Sequence, residues 1–382
     1  MKKSLIALAA LAATTAFAQS SVQVVGTFDP SIANEKTTYG DNKSATQNYV
    51  RNNSQGTSQI TFKGTEDLGG GLKASFLFEN DFDTRFDANG NAYNGKNNIG
   101  SGGGEQFLAL EGGFGKIQIG AANTPTLTSQ ASRQPFSTKI GSGFGATGVL
   151  GTSHVRNNNS LVYTAPVMSG VTAQFGYAFA TAADTNAAGA YNISTGDAKT
   201  VASLNTKAVG SIMDLGLFYA NGPLAAGVTY YTVDSLTAVA VGATGNTATT
   251  TAAGKNQQTT LYASYDLGVA KLTAGYHTET TDAAPGAAAG TAKAMDAQGY
   301  NVAAAVPLSA SLSLLANYGV LNDKLAANAD KKISAIGLKY TLSKMTSVYA
   351  RYVDQTNDNV AATATSTAKS VKTTLVGMQT NF

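Results

Sequence analysis

Val171-Thr172-Ala173-Gln174-Phe175-Gly176-Tyr177-Ala178-Phe179 alternates along its whole length. Val171, Ala173, Phe175, Tyr177 and Phe179 fall on one side of an extended chain, and Thr172, Gln174, Gly176 and Ala178 on the other. Successive side chains of a β-strand point to opposite faces, so this stretch reads as a strand with one apolar and one polar face. Leu312, Leu314, Ala316, Tyr318 and Val320 repeat the pattern, as do Leu272, Ala274 and Tyr276 against Lys271, Thr273, Gly275 and His277. Ile60 and Phe62 stand opposite Gln59, Thr61 and Lys63 in the same way. The expectation is an all-β chain.

The connections decide which kind. Seven are short and rich in Gly, Pro, Asn and Asp: Glu66–Gly71, Gly112–Gly115, Pro166–Gly170, Asn221–Leu224, Asp266–Ala270, Pro307–Ala310 and Thr341–Met345. Eight long polar stretches lie between them, at about 30–55, 80–105, 123–158, 181–205, 235–258, 279–297, 321–331 and 354–371. Long and short alternate, which gives sixteen strands with both termini on the short-turn side. That layout belongs to a closed antiparallel barrel in a bilayer, with tight turns at one end and long loops at the other. A compact soluble sandwich rarely carries so many long loops.

Composition agrees. Charged residues make up only 13% of the 382, about half the usual share. Beyond the first twenty residues no apolar run approaches the eighteen needed for a spanning helix, so a membrane crossing here needs strands. Lys2 and Lys3, the apolar run Leu5–Ala13 and Ala16-Phe17-Ala18 read as a secretory signal with cleavage after Ala18, leaving residues 19–382 as one barrel domain. Without the leader, basic and acidic residues nearly balance, which gives no footprint for nucleic acid. The absence of Cys excludes disulfides and thiol chemistry. Tyr163, Tyr177, Phe179, Tyr219, Tyr230, Tyr265, Tyr276, Tyr340 and Tyr352 cluster near strand ends, where amphipathic rings suit a lipid–water boundary.

Several segments then carry a family likeness. Ser20-Ser21-Val22 with Gly26 and Asp29 is similar to a first strand, and Phe62-Lys63-Gly64-Thr65-Glu66-Asp67-Leu68-Gly69-Gly70-Gly71-Leu72-Lys73-Ala74 to the segment holding the first turn. Phe114-Gly115-Lys116 through Gly120 with Thr124-Pro125, Arg156 with Asn159, Ser160, Tyr163 and Pro166, and Tyr340 with Leu342, Ser343, Lys344 and Tyr349 continue the series, which closes on Phe382. In these motifs the chain resembles the trimeric general porins of Gram-negative bacteria, of the β-proteobacterial type. The resemblance implies a sixteen-stranded transmembrane barrel in the outer membrane, a homotrimer, and a third loop folded inward. It also implies contact with outer-membrane lipid and lipopolysaccharide, and passage of small hydrophilic solutes and ions without cofactor, metal or catalysis.

Candidate residues follow from that architecture. A barrel of this size leaves an aqueous lumen, and rings of charge set what passes. The stretch 123–158 contains Arg133, Lys139 and Arg156 and no Asp or Glu, a formal +3 with His154 neutral. Glu79 shares the polar face of its strand with Lys73 and Ser75, and Lys63 the polar face of the preceding one. The expected pore-shaping set is therefore Lys63, Glu79, Arg133, Lys139 and Arg156. Gln59 and Ala121 stand where the family often has Arg, so the expected anion preference is weak.

Other signals carry less. Gly143, Gly145 and Gly148 spell a nucleotide-loop pattern without the strand and helix it needs. His154 and His277 lack nearby metal partners, and Ser153-His154 adjacency does not make a triad. A barrel acting as adhesin or surface structural protein, or as a substrate-specific channel, remains an alternative at the level of sequence.

Overall fold

The computed structural model describes residues 21–85, 103–143, 156–179, 205–208, 210–234, 236–241, 248–284, 287–288, 290–325 and 328–382. The signal segment, the G-x-G-x-x-G stretch beyond Gly143 and His154 lie outside them. In chain order the strands are β1 (Ser21–Phe28), β2 (Pro30–Tyr39), β3 (Ser44–Asn52), β4 (Gln59–Gly69), β5 (Leu72–Asp81), β6 (Gln106–Gly112) and β7 (Gly115–Ala121). One helix, α1 (Pro125–Ser132), follows. Then come β8 (Ser160–Thr164), β9 (Val171–Ala178), β10 (Asn205–Ala208), β11 (Ile212–Asn221), β12 (Leu224–Val233), β13 (Leu236–Val241) and β14 (Ala248–Ala253). The last are β15 (Asn256–Asp266), β16 (Lys271–Thr281), β17 (Met295–Pro307), β18 (Leu312–Asp323), β19 (Lys331–Thr341), β20 (Thr346–Asn357) and β21 (Ala368–Asn381).

Eighteen of these segments form one sheet, and every pairing in it is antiparallel. Asp29 alone separates β1 from β2, and residues 53–58 separate β3 from β4, so the wall has sixteen strands, two of them interrupted. The wall closes on itself: β21 pairs with β2 from Ser31↔Gly377 to Tyr39↔Ala368, and with β1 at Thr27↔Asn381. Phe382 joins the same seam, where its N–H and C=O exchange bonds with Gly26. Closure leaves this wall no unpaired edge among the described residues, the condition for strands in lipid.

The two faces separate as the alternation predicts. Val24, Ile119, Leu217, Val302, Ile336 and Val376 project outward and are exposed, as are Tyr265 and Tyr340 beside short turns. Thr61, Gln118, Asp214, Gln258, Asn317 and Thr373 lie buried on the opposite face. This inversion of a soluble protein is what a lipid exterior around a polar interior requires.

Two expected loops are partly strand. The stretch 30–55 contains β2 and β3 in register, joined by a turn near Asn42, and the stretch 235–258 contains β13 and β14, which form a separate three-stranded sheet with β10. The reason lies in height above the membrane. Where strands rise clear of lipid they need no apolar face, so the period-two signal fades while pairing continues. Asn34–Asn48 and Thr38–Ser44 side-chain bonds then stand in for apolar pairs.

Candidate functional site

After β7 the chain leaves the wall. Thr124 caps α1, its Oγ1 accepting from Leu127 N–H at 3.1 Å, and Pro125 takes the first helical position. No acid lies in the helix's own first turn; the wall supplies one. Asp214 of β11, fully buried, accepts from Thr126 N–H at 3.0 Å and from Thr126 Oγ1 at 2.8 Å. A carboxylate there complements the positive end of the helix.

The segment then runs along the polar face of the sheet. Asn301 of β17 donates to Arg133 C=O at 2.7 Å, and Asn317 of β18 donates to Gly141 C=O at 3.0 Å. The Arg133 side chain lies over Gly275, where a Cβ would come within 2.6 Å of Arg133 Cδ, so the wall needs glycine at this point. Phe136 packs with Ile333, Ala335 and Val353 in a small apolar cluster on this otherwise polar face. Arg351 of β20 locks that end. Its guanidinium sits 4.9 Å from the Phe136 ring centroid and 5.2 Å from that of Tyr349, donates to Ile140 C=O at 2.8 Å, and also donates to Ser54 C=O. Tyr349 donates in turn to Asp29, whose other oxygen accepts from Gln55 and Gly56 N–H. Lys139 Nζ reaches Thr57 Oγ1 at 2.5 Å.

Of the five residues expected from sequence, three come together. Arg156 lies 3.9 Å from Glu79 and 3.7 Å from Asp81, and donates to Asn123 at 3.2 Å. Glu79 accepts from Gln59 at 2.7 Å and from Glu105 N–H at 3.3 Å. Glu105 holds Asn123 through two bonds of 3.0 Å. Lys139 completes this group from the segment side. Burial pulls its ammonium below the ordinary lysine value, against the attraction of Asp81 and Asp29. Burial pushes the Glu105 carboxyl up, opposed by the Asn123 N–H. Lys63 stands apart, in register with Gln23 and Leu77 and four residues, about 13 Å, along β4 from Gln59. Arg133 is also apart, buried against β16 and β17.

The uniformly basic loop expected from residues 123–158 is therefore matched by wall acids. Glu79, Asp81 and Glu105 face Lys139 and Arg156. Asp81 shares the Glu79 face of β5 and could be found by parity; Glu105, Asp214, Asp29 and Arg351 meet the segment only through folding. His277, on the polar side of its strand's alternation, is fully buried, with its Nδ1 3.0 Å from Thr260 Oγ1 and its Nε2 3.5 Å from Glu279. Its strand face is polar as expected, but the segment carrying Arg133 packs over that part of the wall.

A family model for Gram-negative porins matches residues 4–360. The chain belongs to the Gram-negative porins. It is an outer-membrane β-barrel and a channel protein by family. The outer membrane porin protein 32 of Delftia acidovorans is 34% identical over 280 residues, spanning 71% of this chain and 68% of that one. An outer membrane porin protein of Bordetella pertussis is 27% identical over 92% of this chain and 93% of its own length. Among solved structures, an anion-selective porin from Comamonas acidovorans superposes with a TM-score of 0.69 at 23% identity, covering 95% of this chain and all of that one, which supports the porin fold.

Proposed function

We propose that this porin is a general-diffusion channel whose constriction is the segment 123–143 together with the Glu79–Asp81–Glu105 and Arg156–Lys139 group. The observation that carries the reading is the line of hydrogen bonds from Asp214, Asn301, Asn317 and Arg351 to one loop segment, all on the face opposite the apolar belt. A segment held there folds into the lumen and narrows it. Acids and cations gathered in one cluster set a mixed field beside the passage, which orients polar solutes without trapping one charge sign.

The preference for anions is weak on this reading, because Glu79, Asp81 and Glu105 outnumber Lys139 and Arg156 at the group, and the field is tipped toward anions by cations elsewhere on the polar face, Arg51, Lys331 and Lys369. The Delftia and Comamonas relatives support the porin class, and the Comamonas porin, which is anion-selective, agrees in sign. Cleavage of the leader after Ala18, assembly as a homotrimer and contact with lipopolysaccharide belong to the same proposal; a trimer form is known for the OmpT porin-fold protein of Vibrio cholerae. The test is reversal potential in a KCl gradient across a planar bilayer. Weak anion preference with three-step insertions is the expected result; clear cation preference or absence of conductance overturns it.

A further inference from the structure

On the long-connection side of the segment, the wall and residues 138–141 enclose a cleft of about 470 Å³. It lies between β2, β3, β19, β20 and β21, and it borders the Glu79–Arg156 group, with which it shares Lys139. Among the described residues four cations line it, Arg51, Lys139, Lys331 and Lys369, against a single acid, Glu35. That acid is already engaged: it accepts from the Tyr49 hydroxyl at 2.8 Å, and its nearest Arg51 nitrogen is 3.9 Å away. Arg51 Nη1 donates to the Tyr49 hydroxyl at 3.1 Å, and Arg51 Nε is buried with no hydrogen-bond partner.

The rest of the lining narrows the ligand class. Thr138 and Ser370 offer hydroxyls, and Ile140 and Val371 offer carbon surface. A volume of this size falls in the range of small-molecule sites. Excess positive charge asks for more than one anionic group, and the apolar patch asks for a carbon skeleton between them.

We propose that this cleft is a binding subsite for small organic polyanions, with Arg51 and Lys331 as its principal charges. It rests on the channel reading above, because ligand reaches it through the lumen. Bound anion would wait above the constriction and occlude ion flow for the time it stays.

The test is KCl current through single channels of the full-length mature protein, with citrate, glucose 6-phosphate, sulfate or sucrose added on the side of the long connections. Citrate and glucose 6-phosphate should produce concentration-dependent brief closures, half-saturating at about 1–10 mM. Sulfate should act more weakly and sucrose not at all. Arg51→Gln with Lys331→Gln should raise the half-saturating concentration at least tenfold. Lys332→Gln, the neighbour on the outward face where Lys332 pairs with Asp358, should leave it unchanged. Heat-modifiable gel mobility confirms that each variant folds. Absence of KCl conductance overturns the channel reading itself. Normal conductance without closures, or equal closures in the double variant, overturns the subsite alone. Closures by one organic anion only assign the site to carboxylate or to phosphate ester, whichever acts.

Discussion

Arg351→Met is the sharpest test of how the constriction is held. Arg351 supplies two charge-assisted hydrogen bonds, to Ile140 and Ser54 carbonyls, and stacks between Phe136 and Tyr349. Each such bond contributes about 1.5–3 kcal/mol and each cation–π contact about 0.5–2 kcal/mol. Methionine keeps the length and the ring contacts but removes the donors. Part of the loss is returned, because a buried guanidinium no longer has to be desolvated. Only the Ile140 bond and the Phe136 contact reach the segment, so a net cost of about 2 kcal/mol on its docking remains, which is about thirtyfold in the ratio of docked to undocked. Single-channel recording should then show flicker between the native level and a larger one, with raised open-channel noise. Lys332→Met, a charge removed from the outward face, should behave as wild type. A quiet Arg351→Met channel of unchanged conductance, in protein that still shows heat-modifiable mobility, would refute the idea that this arginine holds the segment in the lumen.

Neutralising wall acids should sharpen anion preference: Glu79→Gln with Asp81→Asn should raise the anion-to-cation permeability ratio by about twofold per charge at 0.1 M salt, read from reversal potentials. Lys139 gives a pH test. Its value in the folded chain is depressed, so keeping it charged costs stability at neutral pH, and that cost is relieved as pH rises through the folded value toward 10.5. Lys139→Met should therefore be at least as resistant to urea as wild type at pH 7, and the two should converge above the unfolded lysine value; a Lys139→Met protein clearly less stable at pH 7 contradicts this. Anion preference should fall in wild type as pH climbs from neutral toward 10, and stay flat in Lys139→Met. Asp214→Ala removes both bonds at the start of α1 and should cost the docked segment about 2 kcal/mol, visible as raised channel noise without loss of the folded band. Gly275→Val places carbon where Arg133 Cδ and Asn301 Oδ1 now lie and should displace the segment, changing conductance more than an equivalent change at Gly222 in a short turn, where a Cβ meets nothing.

Strand number, facing and closure were legible from residues alone because the code is local. A strand crossing lipid must alternate, a short turn must carry Gly, Asn, Asp or Pro, and Val171–Phe179 or Leu312–Val320 satisfies both without reference to anything distant. The same rule placed Glu79 on the polar face and, applied one pair further, would have placed Asp81. It failed at 30–55, where strands above the lipid lose their apolar half and look like loop. What folding alone decided is which charges meet. Arg156 is 77 residues from Glu79 in the chain, Arg351 is 211 from Ile140, and Asp214 is 88 from Thr126. Those pairs depend on barrel closure and on the path of one segment along the polar face of the wall, and no periodicity records either. A basic loop in sequence thus becomes a nearly balanced cluster in space, because the carboxylates that answer its cations come from strands whose register only the closed wall fixes.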